Sequence, residues 1–155
     1  LRYKGFELNV FFYGSYGNKI YNINAGYYRS SDAQYNQYKE AVNRWTPSNP
    51  TSDIPTTNIA NRELVPSTRW IYDGSFLRLQ TLGLSYNVPL NYGIKKYVQN
   101  MAISITGTNL WLLSGYKHGY DPEVNTSGQN SVLRGFDIGA YPKNRSFMIG
   151  LNVTL

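Results

Sequence analysis

The sequence predicts an all-β fold: the C-terminal four antiparallel strands of a large transmembrane β-barrel, with long extracellular loops, one of them carrying a short helix. Three observations carry this. Four segments alternate apolar and polar residues with period two, as strands do when their faces meet different media. The connections between them run long, short, long. The composition, with 15% aromatic residues, 17 Asn, 14 Gly and only 15% charged residues, suits strands, turns and polar loops better than helices.

The first strand is expected over about 3–16. Phe6, Leu8, Val10 and Phe12 share one face, and Glu7, Asn9, Phe11 and Tyr13 the other. The second is expected over about 75–88, where Leu82, Leu84, Tyr86 and Val88 alternate with Gly83, Ser85 and Asn87. Leu77 and Leu79 fall on the opposite parity, so a β-bulge near Gln80-Thr81 would return both sets to one face. The third, about 101–113, alternates Met101, Ile103 and Ile105 with Ala102, Ser104 and Thr106, and changes parity past Gly107-Thr108-Asn109. The fourth, about 145–155, is the clearest. Phe147, Ile149, Leu151, Val153 and Leu155 are all apolar, and the residues between them are small or polar apart from Met148. Such a strand is long enough, when tilted, to cross an apolar band of about 25 Å.

The connections set the direction. Residues 17–74 and 114–144 are far longer than the links of a compact soluble domain, whereas 89–100 is short. Outer-membrane barrels alternate short periplasmic turns with long extracellular loops. With a periplasmic C-terminus, both long connections fall outside the cell as extracellular loops and 89–100 becomes a periplasmic turn. Within the first loop, Ser31-Asp32 offers a helix N-cap. Ala33 to Arg44 can be helical, with Tyr35, Tyr38 and Val42 on one stripe, until Pro47 and Pro50 forbid continuation. Four strands cannot close a barrel, and two open edges in lipid would leave backbone groups unsatisfied. The chain is therefore expected to be part of a larger barrel, with outer-membrane lipid against its apolar face.

Several function classes recede. There is no Cys and a single His, His118, which excludes Cys-built zinc sites, most His-built ones and nucleophilic Cys chemistry. His118 sits in a Gly/Tyr loop with no nucleophile motif beside it. No catalytic residue and no cofactor are predicted, and the chain is not expected to be an enzyme. The net charge is +6, but the basic residues are scattered, so no nucleic-acid partner is expected. No apolar run approaches the length of a transmembrane helix.

Specific residues then resemble a family. Asn43-Arg44-Trp45-Thr46-Pro47 with Asn49-Pro50 resembles a Trp-Thr-Pro-x-Asn-Pro segment of the SusC/RagA family of TonB-linked outer-membrane proteins. Asp73-Gly74-Ser75-Phe76-Leu77-Arg78-Leu79, running on to Leu84-Ser85-Tyr86-Asn87-Val88-Pro89, resembles that family's Asp-Gly-Ser-aromatic-Leu-Arg-Leu signature and the strand end after it. Gly107-Thr108-Asn109-Leu110, Gly119-Tyr120-Asp121-Pro122-Glu123 and Gly135-Phe136-Asp137 through Gly139-Ala140-Tyr141-Pro142 follow in the family's order. Leu155 stands where such barrels usually carry an aromatic residue. The resemblance implies a plugged barrel of about 22 strands in a Gram-negative outer membrane of the Bacteroidetes type. It implies TonB-dependent nutrient uptake of glycans, oligosaccharides or peptides. It further implies a SusD-like surface lipoprotein as partner, together with the rest of the barrel, its plug, and a TonB complex reached through an N-terminal part.

Candidate sites are few. Asp121 and Glu123 place two carboxylates close together, which invites a metal such as calcium. The competing reading is that Asp121 caps a turn begun by Pro122. Trp45, Trp70 and Tyr120 could contact a ligand or the lid protein, or could pack the loops together. The alternative to transport is a secreted β-sandwich that binds carbohydrate through exposed aromatics. It would need a second sheet packed on the apolar face.

Overall fold

A computed structural model describes residues 1–29, 36–56, 66–126 and 131–155. The chain forms two compact units, one of residues 1–15, 76–113 and 143–155, the other of 16–75 and 114–142.

The first unit is a five-stranded sheet. Its strands are β1 (Arg2–Tyr3), β2 (Phe6–Ser15), β5 (Phe76–Asn87), β6 (Asn100–Ser114) and β8 (Ser146–Thr154), in spatial order β1-β2-β5-β6-β8. The expected first strand, about 3–16, is corrected at its start. Tyr3 pairs with Phe6 across a two-residue turn in which Lys4 and Gly5 both have positive φ, 44° and 86°. This is the backbone a tight hairpin requires, so β1 folds back on β2 rather than extending it.

The parity change in β5 has the expected origin. β2 runs antiparallel to β5, with Phe11 opposite Thr81 but Phe12 opposite Leu79, leaving Gln80 as the bulged residue. On one face Phe6, Leu8, Val10 and Phe12 therefore sit opposite Tyr86, Leu84, Leu82 and Leu79. In β6, Asn109 has a positive φ of 54°. There the Asn109 side chain donates to the Asn144 carbonyl at 3.0 Å. β6 and β8 pair antiparallel without interruption, Ile103 opposite Leu151 and Ile105 opposite Ile149 on the apolar face, Ser104 opposite Gly150 on the other. A β-carbon at Gly150 would press on the Ser104 hydroxyl, which would have to turn away.

The apolar face is not buried. Phe147, Ile149 and Leu151 are 72%, 82% and 66% exposed, and Phe12, Leu84 and Ile105 are also open. Within this unit, among the described residues, no second sheet packs on them. The β-sandwich alternative, which requires that cover, loses its support.

The second unit is built from the two long connections. Its sheet has the order β4-β3-β7, with β3 (Lys19–Asn22), β4 (Ile71–Asp73) and β7 (Phe136–Asp137). β3 is antiparallel to β4 and parallel to β7. Ile20, Tyr116, Val124 and Ala140 form its buried cluster, with Tyr72 against it. The expected helix over 33–44 is corrected. Its N-cap Ser31-Asp32 and first residues lie outside the described residues. Beyond them, 36–38 are not helical, and Lys39–Asn43 is only a 3-10 turn. Tyr38 is extended because its N–H donates to the Tyr28 carbonyl at 3.0 Å and its ring meets the Tyr28 ring. The α-helix of this loop is instead α1 (Ile23–Arg29). It starts where the Asn22 side-chain carbonyl accepts the Ala25 N–H at 2.8 Å, a helix N-cap. No helix among the described residues is long and apolar enough to cross a membrane.

Candidate functional site

A buried polar chain ties the two long loops together. Asn22 ends β3 and is 1% exposed. Its side-chain N–H groups donate to the Tyr116 hydroxyl and to the His118 carbonyl, each at 2.7 Å. The Tyr116 hydroxyl donates to Asp137 Oδ2 at 2.6 Å. Asp137 Oδ1 accepts the Gly139 and Ala140 N–H groups at 2.9 and 3.0 Å. Every buried polar group in the run thereby has a partner, which is what makes such a network tolerable in a dry interior. Burial, and next the hydrogen bond to Asp137, push the Tyr116 phenol far above its ordinary range, so it stays a donor. Gly119 is required by the close packing: a β-carbon there would overlap the Tyr116 ring and Asp137 Oδ2.

Beside this chain lies an open cleft of 660 Å³, lined by Tyr28, Arg29, Tyr38, Lys39, Glu40, Lys117, His118 and Tyr120 among others. Arg29, in the last turn of α1, organises it. Its guanidinium donates to Glu40 Oε1 at 3.0 Å, to His118 Nδ1 at 2.9 Å and to the Tyr72 hydroxyl at 3.3 Å. It also lies 5.7 Å from the Tyr38 ring centre. An arginine can only donate, so His118 accepts on Nδ1 and its imidazole is neutral. Burial first, and Arg29 second, hold that imidazole below its usual value. Its ring also packs on Tyr72, with centroids 4.4 Å apart. Burial raises the Tyr38 phenol, with Arg29 opposing.

Among the residues singled out from the sequence, Tyr120 enters this cleft and is 77% exposed. Trp70 does not. It closes the 3-10 turn Thr68–Trp70, capped by Ser67, is 8% exposed, and has the Arg69 guanidinium 5.6 Å from its ring. Its ring is largely buried inside the loop unit, as the packing alternative requires. Trp45 is 40% exposed in a separate turn, where its N–H donates to Ile54 and Asn49 holds the carbonyls of Asn43 and Arg44. Asp121 is 3% exposed, and its carboxylate accepts the Glu123 N–H at 2.9 Å. That is a turn-capping geometry. No group of three or more metal-ligating side chains occurs among the described residues. Asp73-Gly74 makes the turn into β5, where Asp73 Oδ1 takes both the hydroxyl and the N–H of Ser75. Those bonds hold the Asp73 carboxyl below its usual range.

Sequence reasoning missed Arg29, Tyr28, Tyr38 and Lys117. Asn22 ahead of a short apolar stretch was the only local signal, and it marked the helix rather than the cleft. Arg29 and His118 are 89 positions apart, and no spacing rule connects them.

No protein-family model matches the chain. Curated relatives do. TonB-dependent receptor P26 of Formosa agariphila is 36% identical over 161 residues, covering 99% of this chain and 16% of the relative. TonB-dependent receptor P3 of the same organism is 35% identical over 157 residues, covering 99% and 15%. The chain thus spans about a sixth of the length of these relatives. Among solved structures, the RagAB peptide importer in its closed-closed state superposes with a TM-score of 0.78 at 24% identity, over 97% of this chain and 16% of that one. A further structure of the RagAB peptide transporter gives 0.77 at 23%.

Proposed function

We propose that this chain is a segment of a TonB-dependent outer-membrane barrel of the SusC/RagA type and builds part of the wall and outer loops of a nutrient importer; its TonB-dependent receptor relatives and its RagAB-like fold support the reading. The observation that carries this is the apolar face shared by β2, β5, β6 and β8, exposed on every one of these strands, at Phe12, Leu84, Ile105 and Ile149 among others. In this reading lipid covers that face. The strands reach their missing neighbours through the free edges of the sheet, as a closed barrel demands. The protein sits in the outer membrane of a Gram-negative cell, and its role is transport rather than catalysis.

The two long loops then face outward and the 88–99 connection faces the periplasm. Import of oligosaccharides, other glycans or peptides would draw on a plug and a TonB complex contacted through other parts of the protein. A SusD-like surface lipoprotein would close the barrel from outside, against the loop unit. The support for that partner is the fold shared with the RagAB transporter.

This chain contains no Cys, so single cysteines placed in it, with any cysteines elsewhere in the complete protein replaced, test the orientation. Tyr141 lies in the second long connection and is 82% exposed; Tyr92 lies in the short one and is 95% exposed. In the complete protein, Tyr141→Cys should react with a membrane-impermeant maleimide on intact cells. Tyr92→Cys should react only after the outer membrane is permeabilised. Labelling of Tyr92→Cys on intact cells, with Tyr141→Cys protected, would overturn the orientation.

A further inference from the structure

We propose that the cleft around Arg29 is a binding site for an anionic oligosaccharide, one whose sugar rings carry carboxylate or sulfate groups. The inference rests on the importer reading and narrows the cargo at this site.

Two features of the cleft argue for it together. The first is its aromatic content. Tyr28, Tyr38 and Tyr120 are 40%, 44% and 77% exposed, and all three line the cleft. Tyr28 and Tyr38 are set by their mutual ring contact, with centroids 5.6 Å apart. Exposed rigid phenols present an apolar face and a hydroxyl at low entropic cost. That combination suits a sugar ring, which has a flat C–H face and a rim of hydroxyls.

The second feature is charge. The anions of the cleft are already committed. Glu40 is paired with Arg29, and the Asp137 carboxylate is filled by Tyr116, Gly139 and Ala140. Arg29 itself is held by Glu40, His118 and Tyr72. Lys39 and Lys117 line the same cleft and form no ion pair among the described residues. Two uncommitted ammonium groups beside three open phenol faces are complementary to a ring that bears negative charge. The cleft is broad and open, lined by tyrosines and charged side chains together, rather than a set of enclosed apolar pockets, and such pockets are what peptide side chains would need.

The test measures binding to the purified complete protein in detergent by calorimetry, at low and at physiological salt. The probes are hexagalacturonate, a sulfated carrageenan hexasaccharide, neutral maltohexaose and hexaglutamate. The proposal expects one or both anionic sugars to bind at least about tenfold tighter than maltohexaose, a gap that narrows with salt. Which of the two binds identifies the anionic group. The double substitution Lys39→Gln/Lys117→Gln should remove that preference, and Lys39→Arg/Lys117→Arg should restore it. Tyr120→Ala should weaken every sugar that binds. Equal affinity for maltohexaose and the anionic sugars would overturn the proposal, as would an unchanged preference in the double Gln variant. Hexaglutamate binding as tightly as the sugars would assign the site to peptides instead. Because binding is read in detergent, its failure is separable from a failure of membrane orientation, which the maleimide experiment reads on cells.

Discussion

Replacing Ile149 with Lys should prevent most of the protein from accumulating as a folded barrel, while Asn152→Lys, on the other face of the same strand, should be tolerated. Ile149 is 82% exposed near the centre of β8 and stands opposite Ile105 on the apolar face. Nine residues at about 3.3 Å each, tilted by about 40°, advance roughly 23 Å along the membrane normal, close to the apolar band. A Lys near mid-depth costs about 2–4 kcal/mol, which is roughly a 30- to 1,000-fold shift in the folded ratio. Asn152 pairs with Ala102 on the face turned from lipid, and a charge there keeps its water. The measurement is the fraction of the complete protein in outer membranes that shows the heat-modifiable mobility of a folded barrel. Equal loss in both variants would mean that the two faces of β8 meet the same medium.

The second large effect concerns the buried polar chain of the loops. Asp137→Ala removes the acceptor of three donors, the Tyr116 hydroxyl and the N–H groups of Gly139 and Ala140. Each buried donor left unmet costs about 1–3 kcal/mol, so the loop unit should lose roughly 3 kcal/mol or more. Tyr116→Phe leaves Asn22 and Asp137 each short of one partner and should cost less, about 1–3 kcal/mol. The readout is trypsin added to intact cells, which can cut at Lys117 and Arg134 if the loops open. The Asp137→Ala protein should be cleaved much faster than the parent while still running as a folded barrel. Unchanged resistance would show that the network does not hold these loops.

The sheet was legible because its signal is local. Alternation along 146–154 sorts the two faces of β8 whatever its neighbours are, and the broken parity at Gln80 pointed to a bulge because only an extra residue restores the face. The hairpin at Lys4-Gly5 escaped that logic. Its two sides continue one alternating pattern, and only the positive φ at both turn residues separates them. The loops were less legible for a deeper reason. Their order comes from pairings such as Asn22 with Tyr116 and Arg29 with His118, where distant segments satisfy each other's hydrogen bonds. The Ala33–Arg44 stripe read as a helix on its own terms, but at Tyr38 a bond and a ring contact to Tyr28 outweigh that tendency. For Trp70 the sequence left ligand contact and loop packing both open, because a large aromatic ring suits either, and only its burial separates them. His118, alone of its type, looked idle in sequence and proves to hold Arg29 in place.

The central claim is that β8 is a membrane-facing wall strand. Spin labels placed on single cysteines at each position of 146–154, in the complete protein reconstituted in lipid, test it most directly. Labels at 147, 149, 151 and 153 should be relaxed by oxygen, which concentrates in lipid, and those at 148, 150 and 152 should be comparatively shielded from it. An accessibility profile without this period of two, or with the opposite phase, would contradict the account.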